Sequence, residues 1–280
     1  MFGWLRRKFG KTDRFARLDA TQFPRFAPGT VWLVGAGPGA PGLISLLGYY
    51  GLGEADTIVY DALVGPDLLA MANPRAEMIY AGKRGGKPSP KQADITLTLI
   101  EHARAGKKVL RLKGGDPMMF GRGGEEALAL ARESIGFRIV PGITAGVGGL
   151  AYAGIPVTHR DTNHAVIFLT GHDEKGGVPQ AVDWPAVSTA APVIVMYMAI
   201  KHLGSIAEKL VAAGRSPEDR LAVVSNATLP SQSVVETTLA DASTLAARTD
   251  IPTPAIVVVG PVSRYRQTLD WYTGGENALG

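Results

Sequence analysis

The chain reads as an α/β protein of two domains, the first built on a mostly parallel sheet and the second on a mixed sheet. Three observations carry that reading. From residue 30 to residue 153, short apolar segments of strand length alternate with helical segments, the order that yields a parallel sheet. Glycine-rich turns at 35–42 and 114–124 follow the apolar segments, where tight strand-to-helix connections belong. Beyond 154–160 the pattern changes, and segments 221–225 and 232–238 lie close enough for antiparallel pairing. A length of 280 residues suits two domains of ordinary size, and 46% hydrophobic with 19% charged residues describes a globular chain with ample core.

In order, the spacing predicts a basic extension over 1–29, a first domain over 30–156 and a second over 157–280. Strand 30–34 leads through the first glycine turn to helix 43–52. Strand 56–60 ends in Asp61, with a helix expected over 63–71 before Asn73-Pro74. Strand 76–80 is followed by the polar stretch 82–90. Helix 91–104 carries Ile95, Leu99, Ile100 and Ala103 on one face. Strand 108–112, helix 125–134, strand 137–140 and a small-residue helix through Ala153 complete the first domain. The second domain has strands 165–170, 192–198, 221–225, 232–238 and 255–259. A glycine-rich loop is expected over 171–182 and helices over 203–213 and 239–247.

Charge is unevenly placed. Residues 1–26 hold seven basic and two acidic side chains, so the formal net charge of +4 belongs to that segment and the body is balanced. A nucleic-acid protein is expected to carry its basic excess on the body, so no nucleic-acid partner is expected. Removing residues 1–26 is expected to leave catalysis nearly unchanged. With no cysteine, thiolate catalysis, disulfides and cysteine-held metals are excluded, and the five histidines show no metal-ligand spacing. No apolar run reaches membrane-spanning length and no secretory signal is evident, so a cytoplasmic protein without a membrane partner is expected.

The richest stretch is 109–126, VLRLKGGDPMMFGRGGEE. A buried strand runs into Gly114-Gly115-Asp116-Pro117, where two residues without a Cβ let a ligand lie directly on the backbone. In a parallel sheet this is the carboxyl edge, where ligands bind. The first turn contains a literal G-x-G-x-x-G, Gly37 to Gly42, with Asp61 about 20 residues on, as a dinucleotide fingerprint requires. Pro38 and Pro41 argue against a NAD-dependent oxidoreductase, because they remove two N–H groups from the stretch that would cradle a pyrophosphate. Asp61 sits at a strand end, as a base or as the cap of the next helix. Lys83, Arg84, Lys87 and Lys91 form a basic loop suited to an anionic ligand, and Arg122, His159 and Arg160 extend it.

Taken together, VWLVGAGPG (31–39), VYDALV (59–64), AGKRGGKPSPKQ (81–92), VLRLKGGDP (109–117), FGRGGEE (120–126), VPGITAG (140–146), AYAGIPVTHR (151–160), TGHD (170–173), VIVMYM (193–198) and PAIVVVG (254–260) strongly resemble the tetrapyrrole methylase family, across about residues 30–272. The resemblance implies two α/β domains with an active-site cleft between them, usually paired in a homodimer. S-adenosylmethionine is the implied methyl donor, S-adenosylhomocysteine the product, and no metal is required. The stretches favour the members that methylate uroporphyrinogen III twice, through precorrin-1 to precorrin-2. A later corrin-pathway methylase, a diphthine or rRNA methylase, and a non-catalytic tetrapyrrole-binding protein are the alternatives. By motif position, donor binding falls to Pro38, Gly114, Gly115, Asp116, Met119, Thr144, Ala145, Met198, Ala227 and Ala255. Asp61 matches the family's proton acceptor and Lys83 its proton donor. Ala40 departs from the pattern, since family members often carry Asp there, and Met118-Met119 replaces an aromatic–aliphatic pair.

Overall fold

The structure, a computed structural model, describes residues 22–82, 92–173 and 176–272. The first sheet contains β1 (Val31–Gly35), β2 (Thr57–Tyr60), β3 (Glu77–Tyr80), β4 (Val109–Lys113) and β5 (Phe137–Val140). Its order is β3-β2-β4-β1-β5, with every pairing parallel. Such a sheet needs cover on both faces. Trp32, Val34, Leu110 and Leu112 pack with Leu52 of α1 (Leu46–Glu54) and Leu68 of α2 (Pro66–Leu69). Leu33, Val59 and Val109 point the other way, onto α3 (Gln92–Arg104) and α4 (Gly123–Arg132). The four apolar residues expected on one face of α3 are all buried.

The second sheet contains β6 (Val166–Thr170), β7 (Val193–Tyr197), β8 (Arg220–Ser225), β9 (Ser233–Thr238) and β10 (Ala255–Val259), ordered β6-β7-β10-β8-β9. It is mixed: β6 and β7 are parallel, while β10 runs antiparallel to β7 and β8, and β8 to β9. The ends of β6, β7 and β8 and the starts of β9 and β10 therefore share one edge. One face is covered by α6 (Trp184–Ala190), α7 (Leu203–Ala212) and α8 (Ala242–Ala246). The other is covered by α5 (Ala145–Tyr152), which follows β5 in the chain yet packs Leu150 against Val193, Val195 and Ile256. In α5, Gly149 stands where an added Cβ would lie 2.7 Å from the Ala227 methyl, so the helix can approach this closely.

Three expectations need correction. The helix expected over 63–71 is reduced to α2, because Pro66 sets a later start and residues 61–64 form a turn. Helix α6 was not anticipated, although Asp183 caps it by accepting from the Ala186 N–H and Pro185 stands in its first turn. The segment up to residue 26 is not wholly separable from the body: Phe26 is buried and stacks on Trp32 at 4.3 Å between ring centres. Among the described residues, no helix is long and apolar enough to cross a membrane.

Candidate active site

The turns after β1, β4 and β5 are stitched together through backbone. Gly37 N–H donates to the Gly115 carbonyl (3.1 Å), and Gly115 N–H donates to the Gly37 carbonyl (2.8 Å). A Cβ on Gly35 would stand 2.6 Å from the Gly115 oxygen, and one on Gly142 would collide with that same oxygen. Only glycine permits this approach. Gly115 itself adopts φ +66°, a left-handed conformation that side chains resist. An added Cβ there would meet Ala145 N and Thr144 Cα at 3.8 Å, an ordinary contact distance, and Gly115 stays partly exposed, which leaves a backbone cradle that no side chain covers.

Two carboxylates fasten these turns. Asp116 Oδ1 accepts from Met118 N–H (2.7 Å) and its Oδ2 from Gly142 N–H (2.9 Å), tying the β4 turn to the β5 turn. Asp61 Oδ1 accepts from Leu63 N–H (3.0 Å) and its Oδ2 from Gly114 N–H (3.2 Å), tying the β2 end to the β4 turn. Asp61 does not cap α2, whose N-cap is Gly65; it closes a two-residue turn and stays partly exposed at the sheet edge.

The facing edge comes from the second sheet. The Tyr197 hydroxyl, at the end of β7, accepts from Gly146 N–H (2.9 Å) and shares a hydrogen bond with Thr144 Oγ1 (2.6 Å) at the start of α5. Its ring lies 5.0 Å from that of Phe120. Burial pushes the Tyr197 phenol above its ordinary range; the hydrogen bonds with Thr144 and Gly146 oppose this, and Asp116 adds to it. Met198 follows with φ +54°. Thr228 Oγ1, in the turn after β8, accepts from Ala40 N–H (2.8 Å). Met119 and Ala145 pack on the core that contains Tyr197 and Ala227. Pro38, Gly114, Gly115, Asp116, Met119, Thr144, Ala145, Met198, Ala227 and Ala255 are thus all found on the two facing edges.

Behind the first edge lies a cluster of buried charges that the motifs did not single out. Glu126 Oε1 receives Arg111 Nε (3.1 Å), Lys113 Nζ (3.2 Å) and Gln92 Nε2 (2.9 Å). Glu126 Oε2 is buried and has no hydrogen-bond partner. The Lys113 ammonium is pushed below the usual lysine range by burial and then by Arg111, against the pull of Glu126 and Asp61. The signal was present in the sequence: Arg111 and Lys113 are two cations at alternate positions of an otherwise apolar strand. Tyr197 gave no such signal, being one apolar-looking residue in a run of six.

The remaining expected residues are not gathered in the same way. Lys83, Arg84 and Lys87 lie outside the described residues. Arg122 stands in the β4–α4 turn with φ +59°, paired with Glu125 at 2.6 Å. His159 and Arg160 occupy the loop before β6, whose first residue is at the far edge of the second sheet. His159 Nδ1 there meets the Tyr265 hydroxyl (2.8 Å) with the rings stacked at 4.1 Å. The dinucleotide reading finds no support. A short 3-10 turn, Pro41–Leu43, follows the glycines, α1 begins only at Leu46, and the approach to Gly39 is filled by the Ala227 carbonyl and Thr228.

Residues 30–243 match the family model described as tetrapyrrole (corrin/porphyrin) methylases. The chain belongs to this tetrapyrrole methylase family. A uroporphyrinogen-III C-methyltransferase from Sinorhizobium sp is 61% identical over 92% of this chain and 91% of its own length. The siroheme synthase of Tolumonas auensis is 43% identical over 94% of this chain, which spans only 55% of that longer protein. The crystal structure of a Thermus thermophilus uroporphyrin-III C-methyltransferase complexed with S-adenosylhomocysteine superposes with a TM-score of 0.74 at 38% identity, covering 84% of this chain and 99% of that one. Within the family pattern, the departure at Ala40 falls where the backbone N–H, not the side chain, makes the contact to Thr228. Among the described residues, no group of three or more His, Asp or Glu side chains is arranged to hold a metal ion.

Proposed function

We propose that this chain methylates uroporphyrinogen III at carbon in two steps, through precorrin-1 to precorrin-2, with S-adenosylmethionine as donor. The observation that carries the reading is the bare cradle at Gly115, faced by Thr144 and Ala145 and flanked by Asp61 at the same sheet edge. The cradle fits such a donor: backbone and small residues suit an adenosyl group and an amino acid without phosphates. Phe120, Ile143 and Met198 on these turns keep at least 40% of their surface open, offering apolar walls.

When bound, the donor supplies a methyl group on a positively charged sulfur. The residues of the two edges named above hold it and align the methyl with a pyrrole carbon that is already electron-rich, so orientation is the main catalytic contribution. Asp61 removes the proton from the methylated ring system, its second oxygen being steadied by Gly114 N–H. Lys83 donates a proton, and Arg84, Lys87 and Arg122 meet the carboxylates of the substrate; His159 and Arg160, in the loop at the far edge of the second sheet, take no part in this reading. In this reading the chain divides at 156/157, works in the cytoplasm, and pairs as a homodimer, for which exposed Met78 and Leu97 on the first domain supply apolar surface.

The test compares Asp61→Asn with the parent for melting temperature, calorimetric affinity for S-adenosylhomocysteine, and single-turnover methyl transfer. The expected result is unchanged affinity with a rate lower by about 10²–10⁴-fold. A parent-like rate would reduce Asp61 to a turn residue.

A further inference from the structure

We propose that Lys113 is a positioning residue for methyl transfer: anchored on Glu126 beneath the strand ends, its charge biases the Asp61 carboxylate, without touching it, toward the orientation that Leu63 N–H and Gly114 N–H fix. The inference rests on the reading of Asp61 as the proton acceptor.

Strand register brings the two residues together. Tyr60 is aligned with Leu112, and Asp61 N–H continues the ladder to the Leu112 carbonyl at 3.4 Å, so Asp61 and Lys113 emerge side by side from β2 and β4. On its other flank Lys113 is aligned with Gly35, which has no side chain. Asp61 is therefore the cross-strand neighbour of Lys113; the two side chains form no direct ion pair, and the Asp61 charge acts attractively on the ammonium through space.

The charges behind it do not balance alone. Glu126 is fully buried and must serve two cations, Arg111 and Lys113, whose side chains are 3% and 5% exposed. Both cations and Gln92 converge on one carboxylate oxygen while the other has no partner. Burying such ions is costly, and an apolar cluster would serve the fold as well. One positive charge is left over at the strand end, and the Asp61 carboxylate at the cleft is its complement. Gln92 opens α3, so the same network also fixes the start of that helix.

The experiment uses Lys113→Met, Lys113→Gln, Lys113→Arg, Asp61→Asn and the double variant Asp61→Asn/Lys113→Met in the full chain. Melting temperature, calorimetric affinity for S-adenosylhomocysteine and single-turnover rate with uroporphyrinogen III are measured on the same samples. Lys113→Met is expected to bind S-adenosylhomocysteine like the parent and to transfer methyl about tenfold or more slowly, a part of what a positioned base contributes. Lys113→Arg restores part of the rate, and the double variant is no slower than Asp61→Asn alone, because both act through one group. If Lys113→Met does not fold, Lys113→Gln, which keeps a donor to Glu126 without the charge, is held to the same expectation. A parent-like rate for the folded uncharged variant, beside a slow Asp61→Asn, overturns this proposal and leaves the Asp61 reading standing. A double variant slower by the product of the two single losses also overturns it. A parent-like Asp61→Asn overturns both.

Discussion

The two edges that face each other across the cleft are built by different means. The first sheet presents glycine backbone, fastened by Asp61 and Asp116, with Arg111, Lys113 and Glu126 buried behind it. The second presents Tyr197, Met198 and the turn at Ala227 and Thr228, with an apolar core behind them. Among the described residues, the fully buried charged side chains all belong to the first sheet and its helices. In the proposed function the work divides along the same line: proton chemistry and the close backbone approach fall to the first edge, enclosure and orientation to the second.

The largest expected effect comes from filling the cradle. Gly115→Val places a branched side chain in the donor space at φ +66°, and calorimetry should show S-adenosylhomocysteine binding lost in a protein that still folds. Retained affinity would make Gly115 a turn residue only. Gly142→Ala attacks the stitching: the new methyl must displace the Gly115 carbonyl, and thermal unfolding should show a loss of about 1–3 kcal/mol together with weaker donor binding. An unchanged melting temperature would mean that the first edge is not rigid. Tyr197→Phe probes the second edge by leaving the Gly146 N–H without its acceptor, a cost of about 1–3 kcal/mol. Donor affinity should fall about tenfold while the KM for the tetrapyrrole stays, and an equal rise in both would argue against the division of labour. The smallest effect is expected from deleting residues 1–21, which should leave single-turnover rate and melting temperature within error; the cut must stop short of buried Phe26.

Much of the first edge was legible in the chain itself. Glycine clusters after apolar strands announce close backbone approach, and prolines in the first of them disqualify a phosphate loop. The allegiance of α5 was not legible, because Leu150 and its small neighbours look alike whether they pack on the first or the second sheet. Asp61 could be read as a cap or a base, and only the Gly114 contact shows that it spans two strand ends. Tyr197 was hidden because its partners, Thr144 and Gly146, are brought to it by the meeting of the two sheets rather than by sequence spacing. Arg111 and Lys113 were visible as cations in a buried strand, but their partner Glu126 lies on a helix whose inward face only the packing reveals.

The proposed reaction is methyl transfer to a tetrapyrrole carbon at the meeting of these edges. Incubating the full chain with uroporphyrinogen III and methyl-labelled S-adenosylmethionine, followed by mass spectrometry, tests it most directly. The expected product carries two labelled methyl groups and is preceded in time by one carrying a single group. A tetrapyrrole recovered without label, from protein that binds S-adenosylhomocysteine, would contradict it.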